Sequence, residues 1–266
     1  MKQIDSNGLV SIIMLSCNNG QYVEESVRSV LSQTYKNWEL VFLDDNSSDN
    51  TIRQILTLKE EAKLNTVDGK ILDRIIVSQT ISERGEGVNR VSAMKDAHGR
   101  WMAFLNVGDI WAPNKLENQI KYMEGNRYAC TYTKYGSFDK KVIVDGPQRV
   151  TWKMMKKNCW PEYMTVMYDA DKIGKVSKQF LFDNNDYALL LQLSSKADFY
   201  LLNECLAYTR YKPLSWLRYT PYKRFKWRFQ VYRIVERMNP IVSIWMTCRN
   251  IFYGFVKKAK YVHKQQ

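Results

Sequence analysis

Leu40-Val-Phe-Leu-Asp-Asp-Asn-Ser-Ser-Asp49 is an apolar run of strand length that ends abruptly in three carboxylates and two hydroxyls. Ligands of open α/β sheets bind outside the carboxyl ends of the strands. Carboxylates at such an end can accept hydrogen bonds from a base N–H or from sugar hydroxyls. The same residues also suit a solvated turn in which Asp44 only caps the next few residues. The neighbouring segments decide between these readings.

Val10-Ser-Ile-Ile-Met-Leu15 reads as a buried parallel strand. Asn18-Asn-Gly then opens a helix whose Tyr22, Val23, Val27, Val30 and Leu31 recur at helical spacing. With a second strand over Glu39–Leu43 this is a βαβ unit, for which a right-handed crossover is expected. The pattern predicts a helix over 50–63, a strand centred on Ile75–Val77, a loop and helix over 85–97, and a strand over Trp101–Leu105. It predicts a further helix beginning within Trp111–Ile120, with Pro113 in its first turn. Three strands thus end in polar clusters: Ser16-Cys-Asn-Asn19, Asp44–Asp49 and Asn106-Val-Gly-Asp109. Parallel pairing would bring all three to one sheet edge, which argues for a ligand site more strongly than any single cluster.

Residues 127–212 are mixed, with strands expected over Tyr128–Thr133 and Phe199–Leu202, and an acidic turn running into an apolar helix over Leu181–Leu193. Residues 219–262 read as helices broken near Asn239-Pro240. We expect an α/β domain over 1–212 and a basic, aromatic helical extension over 213–266.

Composition narrows the chemistry. The five cysteines are isolated and form no CxxC pair, which fits reduced thiols. His98 and His263 are the only histidines, so a histidine-based triad or zinc site is not expected. The N-terminus is polar and has no signal-peptide core. The longest apolar stretch, Ile241–Val256, is broken by Arg249 and Asn250 and falls short of the roughly 20 residues of a spanning helix. Residues 210–266 hold 14 Lys/Arg and one acid, Glu236, so the whole net charge of +13 sits at one end. Such asymmetry points to an anionic partner.

Taken together these residues resemble glycosyltransferase family 2, of the GT-A type, and its bacterial polysaccharide-biosynthesis branch, over nearly the whole chain. Val10–Asn18 resembles the opening strand, with Cys17 where Tyr is usual. Glu25-Ser-Val-Arg-Ser-Val-Leu-Ser-Gln-Thr-Tyr35 followed by Trp38-Glu-Leu is similar to the family helix and strand, and Asp44–Asp49 to its nucleotide-binding turn. Gly85 and Arg90, then Ala97 and Gly99, fall where the family has a Gly, an Arg and an Ala-x-Gly. Phe104-Leu-Asn-Val-Gly-Asp-Ile-Trp111 stands at the metal-binding DxD-type motif, Asn185-Asp186-Tyr187 at the Glu-Asp pair with the catalytic base, and Leu206–Arg210 at the late strand. The resemblance implies a GT-A fold, a mostly parallel Rossmann-like sheet flanked by helices. It also implies inverting transfer of a hexosyl-type sugar from a nucleotide sugar, a UDP-sugar in first place, to a lipid-linked or growing capsule or O-antigen glycan.

That chemistry needs the nucleotide held, the departing diphosphate neutralised and the acceptor hydroxyl deprotonated. Asp44 and Asp45 are the candidates for the first task, with Ser16, Asn18 and Arg90. For the second, the resemblance implies a Mg or Mn ion. Here Asp109 alone keeps a charge, Asn106 offers an amide oxygen and Gly108 offers nothing, so coordination should be weak. Arg90 or Arg210 could neutralise the diphosphate instead, since guanidinium pairs well with phosphate; each also reads as a surface residue. For the third, Asp186 is the candidate base, with Asp183 its rival; both also suit a helix cap.

In the extension, Arg218, Lys223, Arg224, Lys226, Arg228, Arg233 and Arg237 interleave with Trp216, Tyr219, Tyr222, Phe225, Trp227, Phe229 and Tyr232. Such helices suit an anionic membrane interface. The competing reading packs them on the catalytic domain. No nucleic-acid motif accompanies the charge, so no nucleic-acid partner is expected. The expected place is cytoplasmic, peripheral on the inner face of the plasma membrane. Two other functions stay open: a catalytically impaired homologue, favoured by Asn106, Gly108 and Asn185, and a nucleotidyltransferase, disfavoured because Asn18-Asn-Gly-Gln is a poor phosphate loop.

Overall fold

β1 (Val10–Ser16), β2 (Trp38–Asp44), β3 (Ile75–Gln79) and β4 (Trp101–Asn106) lie parallel, in the order β4-β1-β2-β3. The structure is a computed structural model that describes residues 8–64, 74–80, 86–139, 141–176, 185–210 and 220–264. Helices α1 (Gly20–Leu31), α2 (Thr51–Leu64) and α3 (Glu86–Asp96) connect these strands. Val10, Ile12 and Met14 pack with Val23, Val27 and Val30 of α1 and Ile55 and Leu58 of α2. Ile13 turns the other way and packs with Val41, Leu43, Phe104 and Ala93 and Met94 of α3. Both faces are covered, which is why these strands read as unbroken apolar runs.

Next come β5 (Asp109–Trp111), α4 (Lys115–Asn126), β6 (Cys130–Ser137), β7 (Val142–Val144), β8 (Arg149–Val150), α5 (Trp152–Met155), β9 (Met167–Asp169), α6 (Ala170–Ile173), α7 (Asn185–Ser194) and β10 (Phe199–Thr209). The chain continues through α8 (Pro221–Gln230), a π-helical stretch over Val231–Val235, α9 (Pro240–Tyr261) and β11 (Val262–Lys264). The full sheet runs β11-β7-β6-β9-β4-β1-β2-β3; β10 pairs parallel with β6 and antiparallel with β5 and β8.

Two elements depart from the expected pattern. Asp109–Trp111 is a strand paired with Ala207–Thr209, and the Ala112 N–H donates to the Leu206 carbonyl at 2.9 Å. These backbone groups are therefore committed to β10. The helix starts only at Lys115, with Pro113 ahead of its N-cap residue Asn114. The two short strands expected near 199 and 206 are one eleven-residue strand, bulged between Leu202 and Ala207. Exposed Asn203 and Glu204 hide that continuity. The expected domain boundary at 212/213 and Asp183 lie outside the described residues.

The register of the parallel strands is locked at the end away from the polar clusters. Buried Glu39 accepts from Ser11 Oγ at 2.5 Å and from the His98 N–H, also at 2.5 Å, while the Gly99 N–H donates to Ser11 Oγ at 2.7 Å. A β-carbon on Gly99 would sit 2.6 Å from the Leu9 carbonyl oxygen and 2.7 Å from the Ser11 nitrogen, both backbone. Gly99→Ala is therefore expected to lower stability by about 1–3 kcal/mol, read as a lower urea midpoint at unchanged m-value.

Candidate active site

The register sets Ser16 opposite Asp44 and Leu15 opposite Asn106, so all three polar clusters stand at one sheet edge. Asn18 joins two of them. It holds a left-handed φ of 52°, its N–H donates to Ser47 Oγ at 2.8 Å, and its Oδ1 accepts from the Ser48 N–H at 2.9 Å. Gly20, at the start of α1, lies against Asn50 so closely that a β-carbon would meet Asn50 Oδ1 at 2.0 Å.

The three carboxylates of the turn are unequal. Asp44 is fully buried, and its oxygens accept from the Ser47 N–H at 2.8 Å, Ser47 Oγ at 2.5 Å and Gln79 Nε2 at 3.2 Å. Asp49 accepts from the Gly20 N–H at 3.0 Å and the Thr51 hydroxyl at 2.5 Å. Burial works to raise its pKa, but these hydrogen bonds outweigh it and hold the carboxyl below the usual range. Both groups therefore shape the turn. Asp45 is half-buried and accepts from Thr80 Oγ1 at 3.1 Å. Ser16 Oγ is buried at the same edge with no hydrogen-bond partner among the described residues.

Asp186 sits in the first turn of α7 with its side chain 35% exposed. Arg90, buried within α3, brings Nη2 to 2.5 Å from Asp186 Oδ1, a charge pair rather than an aligned hydrogen bond. The guanidinium lies 4.5 Å from the centroid of Tyr163, which stacks on Phe104 of β4 at 4.7 Å. Arg90 thus reaches the expected base instead of the nucleotide turn. Asp109 is buried. Burial pushes its carboxyl up to about 7, against the hydrogen bonds it accepts from the Thr209 hydroxyl and the Arg210 N–H. The Arg210 side chain pairs with Glu25 and lies over Tyr22 and Phe138 of the α1 side.

The model of glycosyl transferase family 2 matches residues 11–184. Two relatives extend the match over nearly the whole chain. TuaG of Bacillus subtilis, named for teichuronic acid biosynthesis, is 33% identical over 89% of this chain and 92% of its own. WfgD of Escherichia coli, named as a UDP-Glc:α-D-GlcNAc-diphosphoundecaprenol β-1,3-glucosyltransferase, is 33% identical over 94% and 95%. The chain belongs to glycosyl transferase family 2. Its fold is that of the GT-A enzymes: Staphylococcus aureus TarS, solved with UDP-GlcNAc, superposes with a TM-score of 0.64 at 16% identity, covering 94% of this chain and 74% of that one.

As a family 2 enzyme the chain has an unusual metal position. Asn106 is half-buried, Gly108 has no side chain, and Asp109 is the one carboxylate of the stretch. Gly108 takes a φ of 100°, and the turn is clamped by Ser26, whose Oγ accepts from the Gly108 N–H at 2.9 Å and donates to the Asp109 carbonyl at 2.8 Å. Among the described residues, no three His, Cys, Asp or Glu side chains gather as a metal set. The unpartnered Oδ1 of Asp109 could reach a divalent ion. Such an ion would take most of its shell from diphosphate and water.

Sequence reasoning missed Glu162 and misread two tail residues. Glu162 is half-buried beside Asp186, and burial raises its carboxyl while Lys257, the Tyr135 hydroxyl and Arg228 work against that rise. Lys257 is only 3% exposed and its Nζ donates to the Cys159 carbonyl at 3.0 Å. Arg228 lies 4.3 Å from the Tyr187 ring. No motif marks Glu162, and a Lys in a basic tail reads as solvated.

Gly108→Asp restores an acidic side chain but places it at positive φ, at a cost of about 1–2 kcal/mol. We expect this variant to melt lower and to gain no Mn²⁺ stimulation. The unsubstituted protein should keep most of its activity in EDTA. Full loss with EDTA and recovery with Mn²⁺ would show that Asp109 and Asn106 hold an essential ion.

Proposed function

We propose that this family 2 enzyme transfers a hexosyl-type sugar, with inversion, from a UDP-sugar to a lipid-linked glycan at an anionic membrane surface. The observation that carries this reading is Asp186, half-open to the sheet's mouth and held by a buried arginine. In the transfer the acceptor hydroxyl gives its proton to Asp186. Its oxygen bonds to the anomeric carbon, and the carbon–oxygen bond to the nucleoside diphosphate breaks, the diphosphate leaving with the electron pair. Arg90 positions the base through their charge pair. Asp45, Ser16 and Asn18 form the edge that takes the nucleotide, while Asp44 sets its shape. Support for the donor and acceptor comes from the activity for which WfgD is named.

Asp186→Asn is expected to lower kcat by about 10²–10⁴-fold while the UDP dissociation constant stays within twofold. Full turnover would remove Asp186 from the base role. A screen of UDP-, GDP- and dTDP-sugars with lipid-linked acceptor separates this reading from that of a homologue that binds without turnover, for which no donor would be consumed.

The membrane arm rests on α9. No helix among the described residues is long and apolar enough to cross a membrane. Yet Ile241, Ile244, Trp245, Phe252 and Phe255 on this helix are 48–81% exposed, while its buried face carries Ser243, Thr247, Asn250 and Lys257 beside Met246 and Gly254. Large apolar side chains therefore face out while polar ones are buried, against the pattern of an ordinary surface helix. Exposed Lys223 and Lys226 on α8 and Lys258 and Lys260 on α9 flank the apolar side chains, and an anionic lipid surface meets both features. Trp245→Glu with Phe252→Glu should abolish co-sedimentation with phosphatidylglycerol vesicles and leave UDP binding intact. Unchanged sedimentation would overturn the arrangement.

A further inference from the structure

The two C-terminal helices do more than present an outer face, because their inner face reaches the base. Tyr187, next to Asp186 in the chain, is buried, and its hydroxyl meets Tyr232 Oη and Asn250 Nδ2, both at 3.1 Å. Arg228 of α8 lies 4.3 Å from the centroid of the Tyr187 ring. Arg249 of α9 lies 4.5 Å from the ring of Trp245, which is 59% exposed on the outer apolar side. Burial raises the pKa of the Tyr232 hydroxyl, and both guanidiniums work against that rise. A line of neighbours therefore runs from the outer face through Trp245, Arg249 and the adjacent Asn250 to Tyr187, with Arg228 on its ring, at the side of Asp186.

Each of the two half-buried arginines keeps one buried donor unsatisfied, although Arg228 also lies near Glu162. Nη1 of Arg228 and Nε of Arg249 are buried with no hydrogen-bond partner, and neither residue forms an ion pair among the described residues. The one acid of the C-terminal helices, Glu236, faces Lys156 at 3.9 Å. Buried donors of this kind are costly unless an acceptor arrives. The acceptor that fits two guanidiniums best is a pair of phosphates, through charge-assisted hydrogen bonds.

We propose that Arg228 and Arg249 form the subsite for the diphosphate of a lipid-linked acceptor. The proposal rests on the reading that the acceptor is lipid-linked. It accounts for the order of groups along that line: the acceptor sugar at Asp186, its diphosphate at Arg228 and Arg249, and its hydrocarbon chain along Trp245 and Phe252. The proposal leaves the donor diphosphate to Arg210, whose side chain pairs with Glu25 of α1.

The test is calorimetric binding of undecyl diphosphate to the full-length protein without donor, with Arg228→Gln, Arg249→Gln and, as a control on α4, the exposed Lys121→Gln. Each arginine variant should bind at least tenfold more weakly and Lys121→Gln unchanged, with inorganic diphosphate competing in the unsubstituted protein. UDP should bind all variants within twofold. Equal weakening of UDP would assign the cations to the donor and overturn the proposal, as would unchanged binding of undecyl diphosphate in both arginine variants. Competition by phosphatidylglycerol vesicles but not by inorganic diphosphate would assign them to lipid headgroups and also overturn it. Kinetics supply a second readout. In Arg228→Gln the KM for a diphosphate-linked sugar should rise at least tenfold, while the KM for the same sugar as a plain undecyl glycoside stays put and kcat changes less than twofold. An equal rise for both acceptors would mean a merely structural role. If the unsubstituted protein turns over no donor yet binds undecyl diphosphate through these arginines, the transferase reading fails and the subsite stands. If it transfers sugar and the variants bind normally, the reverse holds.

Discussion

A carboxylate far from the chemistry sets the geometry on which the rest depends. Glu39 is buried at the start of β2 and ties Ser11 of β1 to the His98 backbone just before β4. One residue of slip in any of these strands would turn its side chains to the opposite face. The knot therefore fixes which residues emerge at the far edge, so that Ser16, Asp44 and Asn106 end side by side. A glycine at position 99 is part of the same constraint, because the knot brings backbone to within van der Waals limits there.

At the far edge the work is divided by how each charge is satisfied. Asp44 and Asp49 are consumed by the turn they belong to, so their role is shape. Asp186 is partnered by a cation that is itself buried and stacked, which suits the base role proposed for it. Asp109 is buried without an ion-pair partner among the described residues, which raises its pKa, and the usual companion carboxylates are replaced by an amide and by a glycine held at positive φ. The positive charge of this site comes from arginines and lysines of α3, α8 and α9 around Asp186 and Glu162. A stretch that reads as a basic tail thus supplies cations to a local pair of acids in an otherwise neutral domain.

Much of this was legible from residue pattern alone. The βαβ start, the three polar strand ends and the break at Asn239-Pro240 come from apolar periodicity and turn chemistry, which are local. What was hidden depends on partners distant in sequence. Asp109–Trp111 looks like a helix start until β10 claims its backbone groups. Asn203-Glu204 looks like a loop until a bulge carries the strand through it. In α9 the hidden part is the inner face, where the polar residues Ser243, Thr247, Asn250 and Lys257 keep helical spacing as faithfully as any apolar stripe. Periodicity shows that a helix has two faces; only the neighbours show which one is inside.

The short pairing of β11 with β7 has a mechanical consequence. Val262–Lys264 hydrogen-bond to Val142–Val144, and at the other end of α9 the N–H of Met238 donates to the carbonyl of buried Tyr232 at 3.0 Å. The helix is a beam pinned at both supports rather than a lever hinged at one. A load on its outer face cannot be shed by swinging the helix away. It passes inward at mid-span, where Asn250 touches the tyrosine beside Asp186.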